Sequence, residues 1–156
     1  MDAEAKINPQ SKITLREING KTVRAVCNLK VTAEQNRFVA PVAVSIAQAY
    51  FEPKAWFRAI YADETPVGFV MLHDDQELHL YYLWRFMIDA RYQKKGIGKQ
   101  AMKLLVAEVR TRPKAAELLV SYVPDEDGPG PFYHKLGFKP TGEMEGIEEV
   151  ARLDLL

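Results

Sequence analysis

Asp89-Ala90-Arg91-Tyr92-Gln93-Lys94-Lys95-Gly96-Ile97-Gly98-Lys99 joins two regular apolar patterns of different period. Before it, Leu78 to Ile88 is the longest strand candidate, rich in aromatic and apolar residues, as expected of a central strand buried on both faces. After it, Gly98 to Arg110 reads as the clearest helix, with Met102, Leu105, Val106 and Val109 as its apolar stripe and Pro113 beyond its end. Gly96 and Gly98 therefore stand at a strand-to-helix junction. Glycine lets main chain approach a ligand closely and tolerates positive φ. The helix start offers unpaired N–H groups and the positive end of the dipole. Together with Lys94, Lys95 and Lys99 these make a candidate phosphate cradle. Spacing alone leaves an ordinary helix-starting turn open. The P-loop pattern is absent, and the dinucleotide fingerprint, which fits with Ala101 in its third position, lacks its βαβ context.

Outward from this junction the order of elements emerges. Ile13 to Ile18 alternates as a strand, and Thr22 is placed to cap a short helix carrying Val23, Val26 and Leu29. Ala40 to Phe51 reads as a second helix, stopped by Pro53. Trp56–Tyr61 and Val67–His73 form a hairpin around Asp63-Glu64-Thr65-Pro66. Leu118–Val123 is a short strand, the acidic Pro124–Pro131 a loop, and Phe132–Leu136 one or two helical turns ended by Gly137. Phe138–Gly142 and Glu149–Leu155 close as paired strands. This order predicts an α/β (α+β) fold: a mixed, mainly antiparallel sheet of about six to seven strands flanked by helices. Residues 1–11 read as a flexible tail and 12–156 as a single domain.

The bulk numbers narrow the function. A chain of 156 residues suits one core. With 21 basic and 21 acidic side chains it has no basic excess of the kind that marks nucleic-acid binders. The single cysteine, Cys27, excludes an internal disulfide and a cysteine-held metal; His73, His79 and His134 lack ligand spacing. No apolar run is long enough to span a membrane, and residues 1–11 lack a signal-peptide core. The expectation is a cytoplasmic protein without metal, nucleic-acid or membrane partners.

Gln93-x-x-Gly96-x-Gly98 on a strand-to-helix turn resembles the signature of GNAT N-acetyltransferases. Phe132-Tyr133-His134-Lys135-Leu136-Gly137-Phe138 resembles the same family's Phe-Tyr-x-x-x-Gly-Phe segment, and Phe86-Met87-Ile88-Asp89 the end of its bulged fourth strand. Glu34-Gln35-x-x-Phe38-Val39-Ala40-Pro41, the Tyr81–Asp89 strand and Ser121-Tyr122-Val123-Pro124 are similar to bacterial spermine/spermidine acetyltransferases.

The resemblance implies the GNAT fold, acetyl-CoA as co-substrate and acetyl transfer to a primary amine by direct attack in a ternary complex. A polyamine is the leading acceptor. An aminoglycoside, a peptide N-terminus or a protein lysine is the alternative, as is a non-catalytic acyl-CoA-binding regulator. It implies that main chain from Gln93 through Lys94, Lys95, Gly96, Ile97 and Gly98 to Lys99 holds the pyrophosphate, and that backbone at Phe86, Met87 and Ile88 pairs with the pantetheine arm. Tyr133 would return a proton to the leaving thiolate. A glutamate that some members carry eleven residues before the signature Gln is Tyr82 here, and an asparagine six residues before the Phe-Tyr pair is Glu126. Glu34, Tyr82 and Trp84 are the acceptor-site candidates, the two aromatics expected on one strand face. Glu52, Asp74, Asp75 and Glu77 are further carboxylates for a polyamine. Homodimers are common in the family.

Overall fold

The computed structural model describes residues 7–156. The elements, in chain order, are β1 Ile13–Arg16, α1 Val23–Cys27, α2 Val42–Tyr50, β2 Ala55–Ala62, β3 Thr65–Asp75 and β4 Leu80–Ile88. A 3-10 turn, Ala90–Tyr92, precedes α3 Ile97–Arg110. β5 Glu117–Tyr122, α4 Gly130–Lys135, β6 Lys139–Glu145 and β7 Glu148–Asp154 complete the chain. The seven strands form one open sheet in the order β1-β2-β3-β4-β5-β7-β6, antiparallel at every pair except β4–β5. The expected mixed, mainly antiparallel sheet with flanking helices is what forms.

Each sheet face carries its own apolar layer. On one face α3 packs Met102, Leu105 and Val109 onto Val70, Leu72, Tyr81 and Val120, with Tyr133 and Phe138 extending that layer toward α4. On the other face Val26 of α1, Leu29 just beyond it and Val42 of α2 meet Phe69, Met71 and Met87. Alternation along β3, buried on both faces, supplies both layers.

Three expectations need correction. Residues 1–6 of the expected tail lie outside the described residues, but Ile7 is buried in the α3-side core. Ser11 is also buried, and Asn8 and Ser11 close a turn on each other. β4 begins at Leu80 instead of Leu78. The Asp75 carboxylate accepts from Glu77 N at 3.1 Å and Leu78 N at 2.9 Å, and His79 takes φ 55°, so Leu78 belongs to a turn. Finally, simple alternation along β4 holds from Tyr81 to Trp84 and then breaks. Leu72 pairs with Leu83 and Met71 with Arg85, which leaves Trp84 as the extra residue of a bulge. Trp84 packs on the α1/α2 face, and the neighbouring Arg85 reaches the same side to bond Gln48 of α2.

That bulge positions the site. β4 and β5 pair only at Tyr82–Leu119 and Leu83–Val120, after which the two strands separate. Main chain from Trp84 to Ile88 is left without a strand partner on its β5 side. The gap opens beside α4, the start of α3 and the segment before α2.

Candidate active site

The loop after β4 is tied down before it reaches the helix. Asp89 is buried, and its carboxylate accepts from Arg91 N at 2.9 Å, Arg91 Nε at 2.8 Å and Lys30 N at 2.9 Å. Burial pushes the Asp89 carboxyl up, but those bonds outweigh it and hold it below its ordinary value. Gln93 Nε2 donates to Ile88 O at 2.9 Å and to Gln35 Oε1 at 2.8 Å. Its side chain therefore pins the loop to the end of β4 and to the segment before α2.

Gly96 sits at φ 79°, the left-handed region open to glycine, and caps α3. A Cβ at Gly98 would stand 3.3 Å from the Phe132 ring, so this glycine lets α4 close onto the start of α3. Main-chain N–H groups from Gln93 to Lys99 make no hydrogen bond within the described residues. They border a cavity of about 530 Å³. Its walls include Phe86, Met87, Ile88, Gln93, Lys94, Gly96, Ile97, Gly98 and Lys99. Lys95 does not line it; Lys135 of α4, which motif spacing did not single out for binding, does. Free N–H groups, a helix N-terminus and three lysines fit a pyrophosphate, and the unpaired β4 edge fits an extended amide-bearing arm.

A second cavity of about 400 Å³ lies on the other side of the strand gap. The segment 36–41, Leu83 to Phe86 of β4, Val120 to Val123 and Glu148 of β7 line it. Tyr133, Phe86, Phe38, Val39 and Pro129 border both cavities. The Tyr133 ring is clamped between Tyr122, stacked at 5.7 Å, and Phe132 and Phe138, edge-on at 5.4 and 5.5 Å. Its hydroxyl makes no hydrogen bond within the described residues. Burial, with a smaller push from Tyr122, raises the Tyr133 phenol above its ordinary value. At neutral pH it carries its proton.

The acceptor-site expectations divide. Trp84 lines the second cavity. Tyr82 does not, and its buried hydroxyl has no hydrogen-bond partner. Ser121 lies close enough to Tyr82 to favour its phenolate, against the dominant upward push of burial. Yet Ser121 Oγ donates to Glu148 Oε2, at 3.1 Å. Glu34 is exposed and borders neither cavity; residues 33–38 form turns that carry its side chain outward. Asp75 is engaged by Lys54 at 2.9 Å and Asp74 by Arg112 at 3.0 Å, and neither lines the gap, nor do Glu52 and Glu77. Glu126 is exposed, and Asp127 takes the place at the first cavity's wall.

Arg85 and Glu148 are the site residues that sequence reasoning missed. Arg85 was hidden within an apolar strand pattern, and Glu148 in an acidic hairpin with no motif. Desolvation lowers the Arg85 guanidinium, with Glu148 pulling the other way. Among the described residues no three His, Cys, Asp or Glu converge to hold a metal, and no helix is long and apolar enough to cross a membrane.

Comparison with known proteins agrees with this fold. The chain is 25% identical over 143 residues to the spermine/spermidine N(1)-acetyltransferase of Bacillus subtilis (strain 168), covering 85% of this chain and 91% of that protein. A PaiA N-acetyltransferase from Thermoplasma acidophilum, solved with coenzyme A, superposes with a TM-score of 0.66 at 17% identity, covering 92% of this chain and 99% of that one. A GNAT family acetyltransferase from Elizabethkingia anophelis with acetyl-CoA bound gives 0.64 at 13% identity, covering 91% and 97%. The model of the acetyltransferase (GNAT) family matches residues 22–138, from α1 through the end of the Phe-Tyr segment, and this chain belongs to that family.

Proposed function

We propose that this protein transfers acetyl from acetyl-CoA to a primary amine by direct attack, with both substrates bound at once. The observation that carries the reading is the meeting of two cavities at Tyr133 and Phe86. One is walled by free N–H groups and lysines, the other by an aromatic, a carboxylate and a guanidinium. When bound, acetyl-CoA supplies the acetyl group as a thioester. The N–H groups of Gln93 to Lys99 hold the pyrophosphate, and Lys94, Lys99 and Lys135 add charge. The free edge of Phe86 to Ile88 orients the extended arm toward the gap. Tyr133 keeps a proton at its hydroxyl, at the junction where the departing thiolate would take it. Among the described residues no Cys and no His lines either cavity, which favours direct attack over an acyl-enzyme.

Spermidine and spermine are the acceptors toward which the Bacillus relatives point. Glu148 inside the second cavity supports a cationic acceptor, whereas Glu34 has no part in it. A panel of primary amines, with spermidine and spermine first and an aminoglycoside, a peptide and a lysine peptide after them, tests the reading through release of free thiol. Turnover of a small amine supports it; CoA binding without turnover of any amine would make the protein a binding module.

A further inference from the structure

We infer that Glu148 holds a non-reacting ammonium of the acceptor, so that the acceptor is a diamine or longer amine. The inference rests on the 400 Å³ cavity being the acceptor site. Glu148 opens β7, and its side chain crosses to β5, where Ser121 Oγ donates to it at 3.1 Å. It is the one carboxylate among the described residues that lines this cavity, and no described Lys, Arg or His comes within 4.0 Å of it.

The two guanidiniums in the same walls are engaged elsewhere. Arg37 reaches Asp125 at 3.5 Å and Asp127 at 3.8 Å. Arg85 donates to Trp84 O and Gln48 Oε1, each at 3.0 Å, and its Nε is sealed from solvent. Arg85 feels the charge of Glu148 across the cavity but makes no ion pair with it, so this half-buried carboxylate is left with a direct contact that a cationic ligand can fill. An amine acceptor brings that cation, but a protonated nitrogen has no lone pair with which to attack. One nitrogen therefore stays charged on Glu148 while a second, deprotonated, reaches the Tyr133 end. Val39, Leu83, Trp84 and Phe86 line the cavity with apolar surface suited to the methylenes joining the two nitrogens.

The experiment compares 1,5-diaminopentane, pentylamine and lysine as acceptors for the wild type and for Glu148→Gln, Glu148→Asp and Arg85→Gln. In the wild type the diamine exceeds pentylamine in kcat/KM by about 10- to 100-fold, the range of a charge-assisted hydrogen bond, with most of the difference in KM. In Glu148→Gln this ratio falls toward one; Glu148→Asp keeps it. The rise in melting temperature on adding CoA is the same in all variants, which reports an intact fold. A wild-type ratio near one overturns the inference, as does a loss in Glu148→Gln shared equally by both amines. An advantage of lysine over the diamine that disappears in Arg85→Gln also overturns it, by assigning the cavity to a zwitterion. Absence of turnover with every amine while CoA still binds removes the transferase reading, and this inference with it.

Discussion

Tyr133 shows how one side chain becomes suited to its role through its surroundings. Four rings, its own included, pack into a buried layer, and desolvation disfavours the phenolate. Tyr133→Phe keeps those ring contacts and removes only the proton donor. It is expected to lower kcat by about 10²- to 10⁴-fold, the range of general acid–base catalysis, with CoA affinity unchanged. Steady-state rates by thiol release and a CoA titration check both halves; a rate within threefold of wild type would take the acid role from Tyr133. Asp89 acts on stability instead. Its folded-state pKa is depressed, so the unfolded chain takes up the proton first. Its contribution is present above the unfolded value near 3.9 and is lost as pH falls through the folded value. Asp89→Asn is expected to destabilise the fold at neutral pH by about 1–3 kcal/mol. The gap to wild type narrows as pH drops below about 4. Urea midpoints across that range provide the measurement.

At the scale of elements, the loop and α3 act as one unit. The 3-10 turn, Gly96 and the first N–H groups of the helix form a continuous run, held at one end by Asp89 and at the middle by Gln93. Gly96→Ala meets no neighbouring atom, so its effect comes only from holding alanine at φ 79°. That conformation is expected to cost about 1–2 kcal/mol. The melting temperature falls by several degrees and CoA binds more weakly, because the free N–H groups no longer hold their aim. Calorimetry and CoA titration of the purified variant test this; unchanged CoA affinity would remove the loop from the pyrophosphate site. The loop and α3 were legible from local pattern, since glycine spacing and a 3.6-residue apolar stripe are properties of the chain itself. The bulge at Trp84 was not. It exists because Met71 pairs with Arg85 and Leu72 with Leu83, and that register is set between strands. The bulge brings Arg85 to the same side as Trp84, where simple alternation would have turned it to the α3 face.

Across the whole molecule, the sheet divides two apolar layers and then opens between β4 and β5, so one gap is reached from both sides. A ligand that fills this gap joins β4, α3 and α4, and is expected to stabilise the domain as a unit. CoA at about one hundred times its dissociation constant adds roughly 2.7 kcal/mol to unfolding, whereas NAD adds nothing. Thermal unfolding with each ligand distinguishes them, and an equal rise with NAD would contradict the CoA site. The order of elements, the glycine-spaced loop at the start of α3 and the Phe-Tyr segment were legible in the sequence, because periodicity, glycine spacing and helix signals act over a few residues. Only the tertiary structure decided which side chains share the second cavity. Glu148 and Arg85 come to it from distant strands through pairing and a bulge, while Glu34 turns to solvent. Such neighbours are chosen by strand register and by the separation of β4 from β5, which no local pattern encodes.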